Sequence, residues 1–296
     1  MAKFAHKTAR GTGGPSMKGA RRDGLVQKKS LSQVFLHDDR PCRTLVRQLQ
    51  TWGVTRVLEV GPGKGVLTQL LVEAGLHVTA VEKDERFAAY VRALAPKWRK
   101  AGSGEDLLTI EEGDFLEFDL NEWLEKNSGA APGRQAVVGN IPYNISSPIV
   151  LKVLPLLQKM AGSIFLTQLE FAERLAARAG TKDYGSLTVL TNLYGAGNII
   201  EKVSRTLFTP VPKVDSAVLT LTPLATPNSL EEIRAVEKIS RVVFQQRRKK
   251  LSNSIAPFVQ KDANLEDCPV DLGRRPETLT VKEFKDLAAF LRSKES

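Results

Sequence analysis

The chain is poor in the residues that build disulfide and metal frameworks: two cysteines and three histidines in 296 residues. Cys42 and Cys268 form no C-x-x-C pair, so neither a disulfide scaffold nor a thiolate metal site is expected. His6, His37 and His77 have no metal-ligand spacing, so no metal is expected. No stretch approaches the roughly 18 uninterrupted apolar residues of a spanning helix, and no apolar segment of export type follows the start. These gaps point to a cytoplasmic protein with no membrane partner. With 42% hydrophobic and 26% charged residues, the chain has enough apolar mass for one large domain and a smaller one.

What is abundant is positive charge, and it is unevenly placed. The net charge is +10, and the first 30 residues hold eight Lys or Arg against Asp23 alone. The arm at 1–28, with GTGG at 11–14 and KGARR at 18–22, lacks apolar periodicity and is expected to be flexible unless nucleic acid orders it. It has few serines and almost no apolar face, which disfavours the alternative of an organellar transit peptide. A second concentration runs from Arg241 to Lys250 and contains Arg247, Arg248, Lys249 and Lys250 with no acid. A polyanionic partner is the natural inference.

From about residue 54, short β-branched runs alternate with helical segments, as in an α/β domain with a largely parallel sheet. Strands are expected at 56–60, 77–81, 107–110, 136–139, 163–168 and 216–222, with a helix at 66–74. After Pro223 the pattern changes. Ser229 with Glu232, and Thr280 with Glu283, are S/T-x-x-E capping boxes, each followed by apolar residues at helical spacing. The expected division is therefore an arm at 1–28, a catalytic domain at 29–224 and a small all-helical C-terminal domain at 225–296.

Three motifs carry chemistry. EVGPGKG, Glu59 to Gly65, lies between a strand and a helix, where glycines bring bare backbone against a ligand. It is not a Walker A loop, because no G-K-[ST] follows. It also departs from the dinucleotide form, because Val66 holds the third glycine position; G-x-G-x-G is the form common in S-adenosylmethionine-dependent methyltransferases. Glu82 ends the next strand, where an acid accepts from both ribose hydroxyls of an adenosyl ligand or, equally, of NAD. Asp114, after the third strand, is placed to accept from an adenine exocyclic amine.

The third motif is GNIPYNISSP, Gly139 to Pro148, at the end of the fourth strand. An adenine exocyclic amine is a poor nucleophile because its lone pair is delocalised into the ring. The Asn140 side-chain carbonyl and the Ile141 backbone carbonyl suit the two N–H hydrogens, favouring a tetrahedral nitrogen, while Pro142 fixes the turn and Tyr143 offers a stacking face. No strong general base is needed, since the methylated nitrogen becomes acidic.

These segments, with KSLSQVFLHD (29–38), YGSLTVL (184–190), FTPVPKVDSAV (208–218) and FQQRRKKLSNSI (244–255), resemble the ribosomal RNA adenine N6,N6-dimethyltransferases of the KsgA type. The resemblance runs from about Lys29 to the end. It implies a Rossmann-like methyltransferase domain using S-adenosyl-L-methionine and dimethylation of two adjacent adenosines near the 3′ end of small-subunit rRNA. The implied partner is that RNA or a pre-30S-type ribosomal particle, bound by a monomer.

By the same resemblance, Val34, Leu36, Gly61, Gly63, Glu82, Asp114 and Asn140 fall on cofactor-binding positions. Val34 stands where the family usually has Asn, so any contact there comes from its backbone. Asn140, Ile141, Pro142 and Tyr143 face the target base, and Phe208 matches an aromatic that stacks on the other face of the adenine. Arg247, Arg248, Lys249 and Lys250 are expected to meet RNA phosphates. The nearest alternative is the resistance branch, which dimethylates large-subunit rRNA. More distant ones are a non-catalytic assembly factor, disfavoured by intact Asn140 and Tyr143, and a nucleotide-dependent oxidoreductase, disfavoured by the missing glycine and the NIPY segment.

Overall fold

The computed structural model describes residues 35–98, 106–128, 134–260 and 264–294; the basic arm and Val34 lie outside them. The first half of the chain alternates strand and helix. It runs β1 (Phe35–Leu36), α1 (Arg40–Thr51), β2 (Arg56–Val60), α2 (Val66–Glu73), β3 (His77–Glu82), α3 (Glu85–Trp98) and β4 (Leu108–Glu112). It continues through α4 (Leu120–Asn127), β5 (Gln135–Asn140), α5 (Ser146–Val153), β6 (Gly162–Gln168) and α6 (Leu169–Leu175). Then come α7 (Ser186–Tyr194), β7 (Gly195–Val203), β8 (Phe208–Thr209) and β9 (Ser216–Pro223), before the helices α8 (Leu230–Gln245), α9 (Leu251–Ser254) and α10 (Val281–Lys294).

Seven strands form one sheet in the order β4-β3-β2-β5-β6-β9-β7. The five from β4 to β6 are parallel, and β9 runs antiparallel to both of its neighbours. The chain winds outward from β2 to β3 and β4, then returns to place β5 on the other side of β2. This makes the β2–β5 border a topological switch point, where the ends of parallel strands open a crevice for a ligand. The α/β fold expected from the alternating pattern is present.

Helices cover both faces, which is why the parallel strands read as continuous apolar runs. On one face Leu45 and Leu49 of α1, Leu67 and Leu71 of α2 and Val91 of α3 pack on Val57, Val78 and Val138. On the other, Trp123 and Leu124 of α4 and Ile149 and Val153 of α5 pack on Leu58, Val137 and Phe165.

Both capping boxes form. Ser229 Oγ accepts from the Glu232 amide at 3.2 Å and Thr280 Oγ1 from the Glu283 amide at 3.2 Å, each carboxylate accepting in return from the cap residue's amide. Capping of this kind stabilises a helix by about 1 kcal/mol. The apolar stripes they start, Ile233, Val236, Ile239 and Val243 on α8 with Phe284, Leu287 and Leu291 on α10, make a third core. Tyr184 and, from α7, Val189 and Leu193 belong to that same core, so it reaches well upstream of residue 225.

Candidate active site

A cavity of ≈ 330 Å³ opens at the C-terminal ends of β2, β3 and β5, lined by the glycine loop, Glu82, Asp114 and Asn140 among others. The glycine loop joins β2 to α2, and Gly61, Gly63 and Gly65 all have positive φ. At Gly65, φ is +76° and a Cβ would come within 2.7 Å of the Trp98 ring, so conformation and packing both demand glycine. Gly139 is required for a different reason. A Cβ there would stand 2.7 Å from the Val60 carbonyl, and its absence lets β5 bring Asn140 in beside β2.

Glu82, at the end of β3, is buried and holds the loop from the side. Its Oε2 accepts from the Gly63 amide at 3.0 Å and its Oε1 from the Asp84 amide at 2.9 Å. Burial raises its pKa, and the amide bonds oppose that shift. A carboxylate has about four acceptor positions, so these bonds leave it capacity for a further donor such as a ribose hydroxyl. Asp114 accepts from the Leu116 amide at 2.9 Å and pairs with Lys83 at 2.7 Å; the Lys83 bond is the main reason its pKa is lowered. It therefore stays an acceptor at neutral pH.

Glu59 lines the same cavity and is a functional candidate that the motif reading quoted without assigning a role. It is fully buried, and burial pushes its carboxyl up to about 8. Among the described residues its Oε2 has no hydrogen-bond partner. An acid in the interior of an apolar strand was the available signal, since burying such a group without a partner is costly. Phe35 also lines the cavity; its ring tilts against Phe87 at 5.5 Å between centroids, and the Lys64 ammonium lies 5.1 Å from its centroid.

The NIPY turn is clamped from below. Ser146 Oγ donates to the Pro142 carbonyl at 3.0 Å and bonds Thr167 Oγ1 on β6 at 3.1 Å. The Ile141 amide donates to the Leu166 carbonyl at 3.1 Å, and the Pro142 carbonyl also accepts from the Ile145 amide at 3.2 Å. Among the described residues, neither the Asn140 side-chain carbonyl nor the Ile141 backbone carbonyl has a hydrogen-bond partner. Both residues line the cavity. Tyr143 begins a short 3-10 turn, and its hydroxyl is 2.8 Å from Ser216 Oγ.

Of the cofactor positions expected from the sequence, Leu36, Gly61, Gly63, Glu82, Asp114 and Asn140 converge on this one cavity, while Val34 lies outside the described residues. Phe208 differs from expectation. It has no exposed surface and packs in the first core, because β8 pairs antiparallel with β1 and sets Phe208 opposite Leu36. Its ring presents no face to a base. Arg247 differs from its three neighbours. Its guanidinium is bonded to Glu277 at 2.6 Å and to the Thr181 carbonyl at 3.2 Å, whereas Arg248, Lys249 and Lys250 are exposed.

S-adenosylmethionine suits these residues. The orphaned Glu59 oxygen asks for a hydrogen-bond donor, which the α-ammonium of that molecule can supply. Glu82 has acceptor positions for a ribose, and Asp114 is an ionised acceptor for an adenine amine.

Comparison with known proteins agrees. Residues 24–292 match the model of the family described as "Ribosomal RNA adenine dimethylase". The chain is 36% identical to the ribosomal RNA small subunit methyltransferase A of Pseudomonas fluorescens, covering 90% of this chain and 92% of that one. It is 38% identical to the protein of the same name from Parabacteroides distasonis, covering 88% and 92%. Among solved structures, a dimethyladenosine transferase from Plasmodium falciparum superimposes with a TM-score of 0.65 at 23% identity, covering 85% of this chain and 96% of that one. The 23S rRNA methyltransferase ErmE gives 0.60 at 30% identity, covering 87% and 99%.

Proposed function

Because the chain belongs to the ribosomal RNA adenine dimethylase family, we propose that the cavity at the β2–β5 border is where it dimethylates adenine N6 in small-subunit rRNA. The enzyme is an S-adenosylmethionine-dependent rRNA adenine dimethyltransferase. The resemblance further implies that the targets are two adjacent adenosines near the 3′ end, met in a pre-30S-type particle by a monomeric, cytoplasmic enzyme.

The observation that carries the mechanism is the pair of unspent acceptors, the Asn140 side-chain carbonyl and the Ile141 backbone carbonyl, on a turn held by bonds to the Ile141 amide and the Pro142 carbonyl. Each takes one N–H of the target amine, drawing the nitrogen out of conjugation so that its lone pair is localised. S-adenosylmethionine supplies an electrophilic methyl on a sulfonium. Pro142 and Ser146 keep the acceptors fixed, so little reorganisation accompanies transfer. The methylated nitrogen sheds a proton to solvent, and one N–H remains for a second transfer at the same place.

An adenine stacked in a helix cannot reach this crevice, so the base enters extruded and the surrounding backbone is held electrostatically. Arg248, Lys249 and Lys250 are the exposed cations for that contact. The relatives named for small-subunit rRNA favour that RNA over the large-subunit alternative. The test is to incubate the enzyme with unmethylated small subunits and with large-subunit RNA side by side and map the modified adenines. Marks on the small-subunit RNA alone support the reading, and marks on the large-subunit RNA alone refute it.

A further inference from the structure

The bond between Tyr143 and Ser216 joins the NIPY turn, which carries Asn140, to the start of β9. Tyr143 follows Pro142 in the NIPY turn, and Ser216 closes the FTPVPKVDS segment 73 residues later. Their oxygens are 2.8 Å apart. Ser216 is the first residue of β9, paired with Gln168 on β6 and Val203 on β7, so ladders on both sides hold it. It has no exposed surface, and the Tyr143 hydroxyl is its side-chain partner among the described residues.

We propose that Ser216 is a positioning residue for methyl transfer: it tethers the Tyr143 ring by its far end, so that the ring plane beside Asn140 is set before the base arrives. A tyrosine ring has two rotatable side-chain bonds, and the turn fixes only the near end. Without an anchor the ring rotates, and the base it stacks on loses its alignment with the two acceptors. Burial keeps the Tyr143 phenol protonated, so the hydroxyl remains available for the bond throughout the neutral range. This inference rests on the proposed methyl transfer at Asn140.

The test is a double-mutant cycle on the full-length enzyme, using unmethylated small subunits and labelled S-adenosylmethionine. S216A is expected to lower kcat by about 10-fold, the scale of a sub-ångström misplacement of a reacting base, with KM for both substrates within about 2-fold. Y143F is expected to do the same, and the double variant to be no slower than either single one. A kcat for S216A equal to wild type overturns the proposal. So does an S216A effect of the same factor in the Y143F background, or one confined to KM. Should S216A fail to fold, Y143F decides alone, because full kcat there also overturns it. An inactive wild-type enzyme would instead refute the methyl-transfer reading itself, so the two failures are distinguishable.

Discussion

The Gly63 amide donates to Glu82 Oε2 at 3.0 Å, which ties the loop after β2 to the end of β3. The two acidic oxygens of Glu82 thus have different neighbours, one on the loop and one on the Asp84 amide. With the cofactor role proposed for Glu82, loop shape and cofactor selection depend on one carboxylate, and disturbing it is expected to disturb both.

Glu82→Ala is expected to weaken S-adenosylmethionine binding by roughly 10- to 100-fold, the range for lost hydrogen bonds to a charged group. Glu82→Gln keeps the shape but replaces one acceptor oxygen with a donor, so it is expected to weaken binding nearly as much. Isothermal calorimetry measures both. Unchanged affinity in both variants would remove Glu82 from the cofactor site.

Glu59 makes stability depend on pH. Its carboxyl is raised by burial to about 8 in the fold, against an ordinary value of 4.5. Between those values the folded protein holds a proton that the unfolded chain has released. Stability from this group is therefore full at low pH and falls as pH rises through the window, by up to about 1.4 kcal/mol per pH unit. In thermal melts of the cofactor-free protein from pH 5 to 8.5, Glu59→Gln is expected to flatten this decline and S-adenosylmethionine to offset it in the wild type. Equal slopes for both proteins would contradict the assignment.

Arg247 and its three neighbours are expected to separate by assay. Arg247→Ala breaks the tie to Glu277 and Thr181, so the melting temperature is expected to fall by a few degrees. Replacing Arg248, Lys249 and Lys250 together leaves the melting temperature near wild type but weakens RNA binding. It also reduces the slope of log affinity against log salt by about 2 to 3. Filter binding across a salt series checks the second claim and differential scanning fluorimetry the first.

The pattern of β-branched runs located β2, β3, β5, β6 and β9 to within one or two residues, because strands buried inside a sheet have little choice of composition. β7 was not legible. It contains Gly195, Gly197 and Asn198, which read as a turn, yet a Cβ on Gly195 would meet the Thr222 carbonyl at 2.3 Å and one on Gly197 the Leu175 carbonyl at 2.7 Å. Those glycines answer close packing, which local sequence does not record.

The site divides in the same way. Gly61, Gly63, Glu82, Asp114 and Asn140 could be read because each sits at a strand end with a recognisable spacing. The engagements of Phe208 with β1 and of Arg247 with Glu277 could not be read, because Leu36 and Glu277 are remote in sequence. Composition marks a ring or a guanidinium as available, and only the fold shows that it is already engaged.

Asn140 is the place to press hardest. With unmethylated small subunits under single-turnover conditions, Asn140→Ala is expected to bind S-adenosylmethionine within a few-fold of wild type and to lose at least about 100-fold in transfer rate, the cost of removing one preorganised polar contact at the reacting atom. An Asn140→Ala enzyme that still dimethylates adenine at near wild-type rate would show that the two carbonyl oxygens do not prepare the nitrogen.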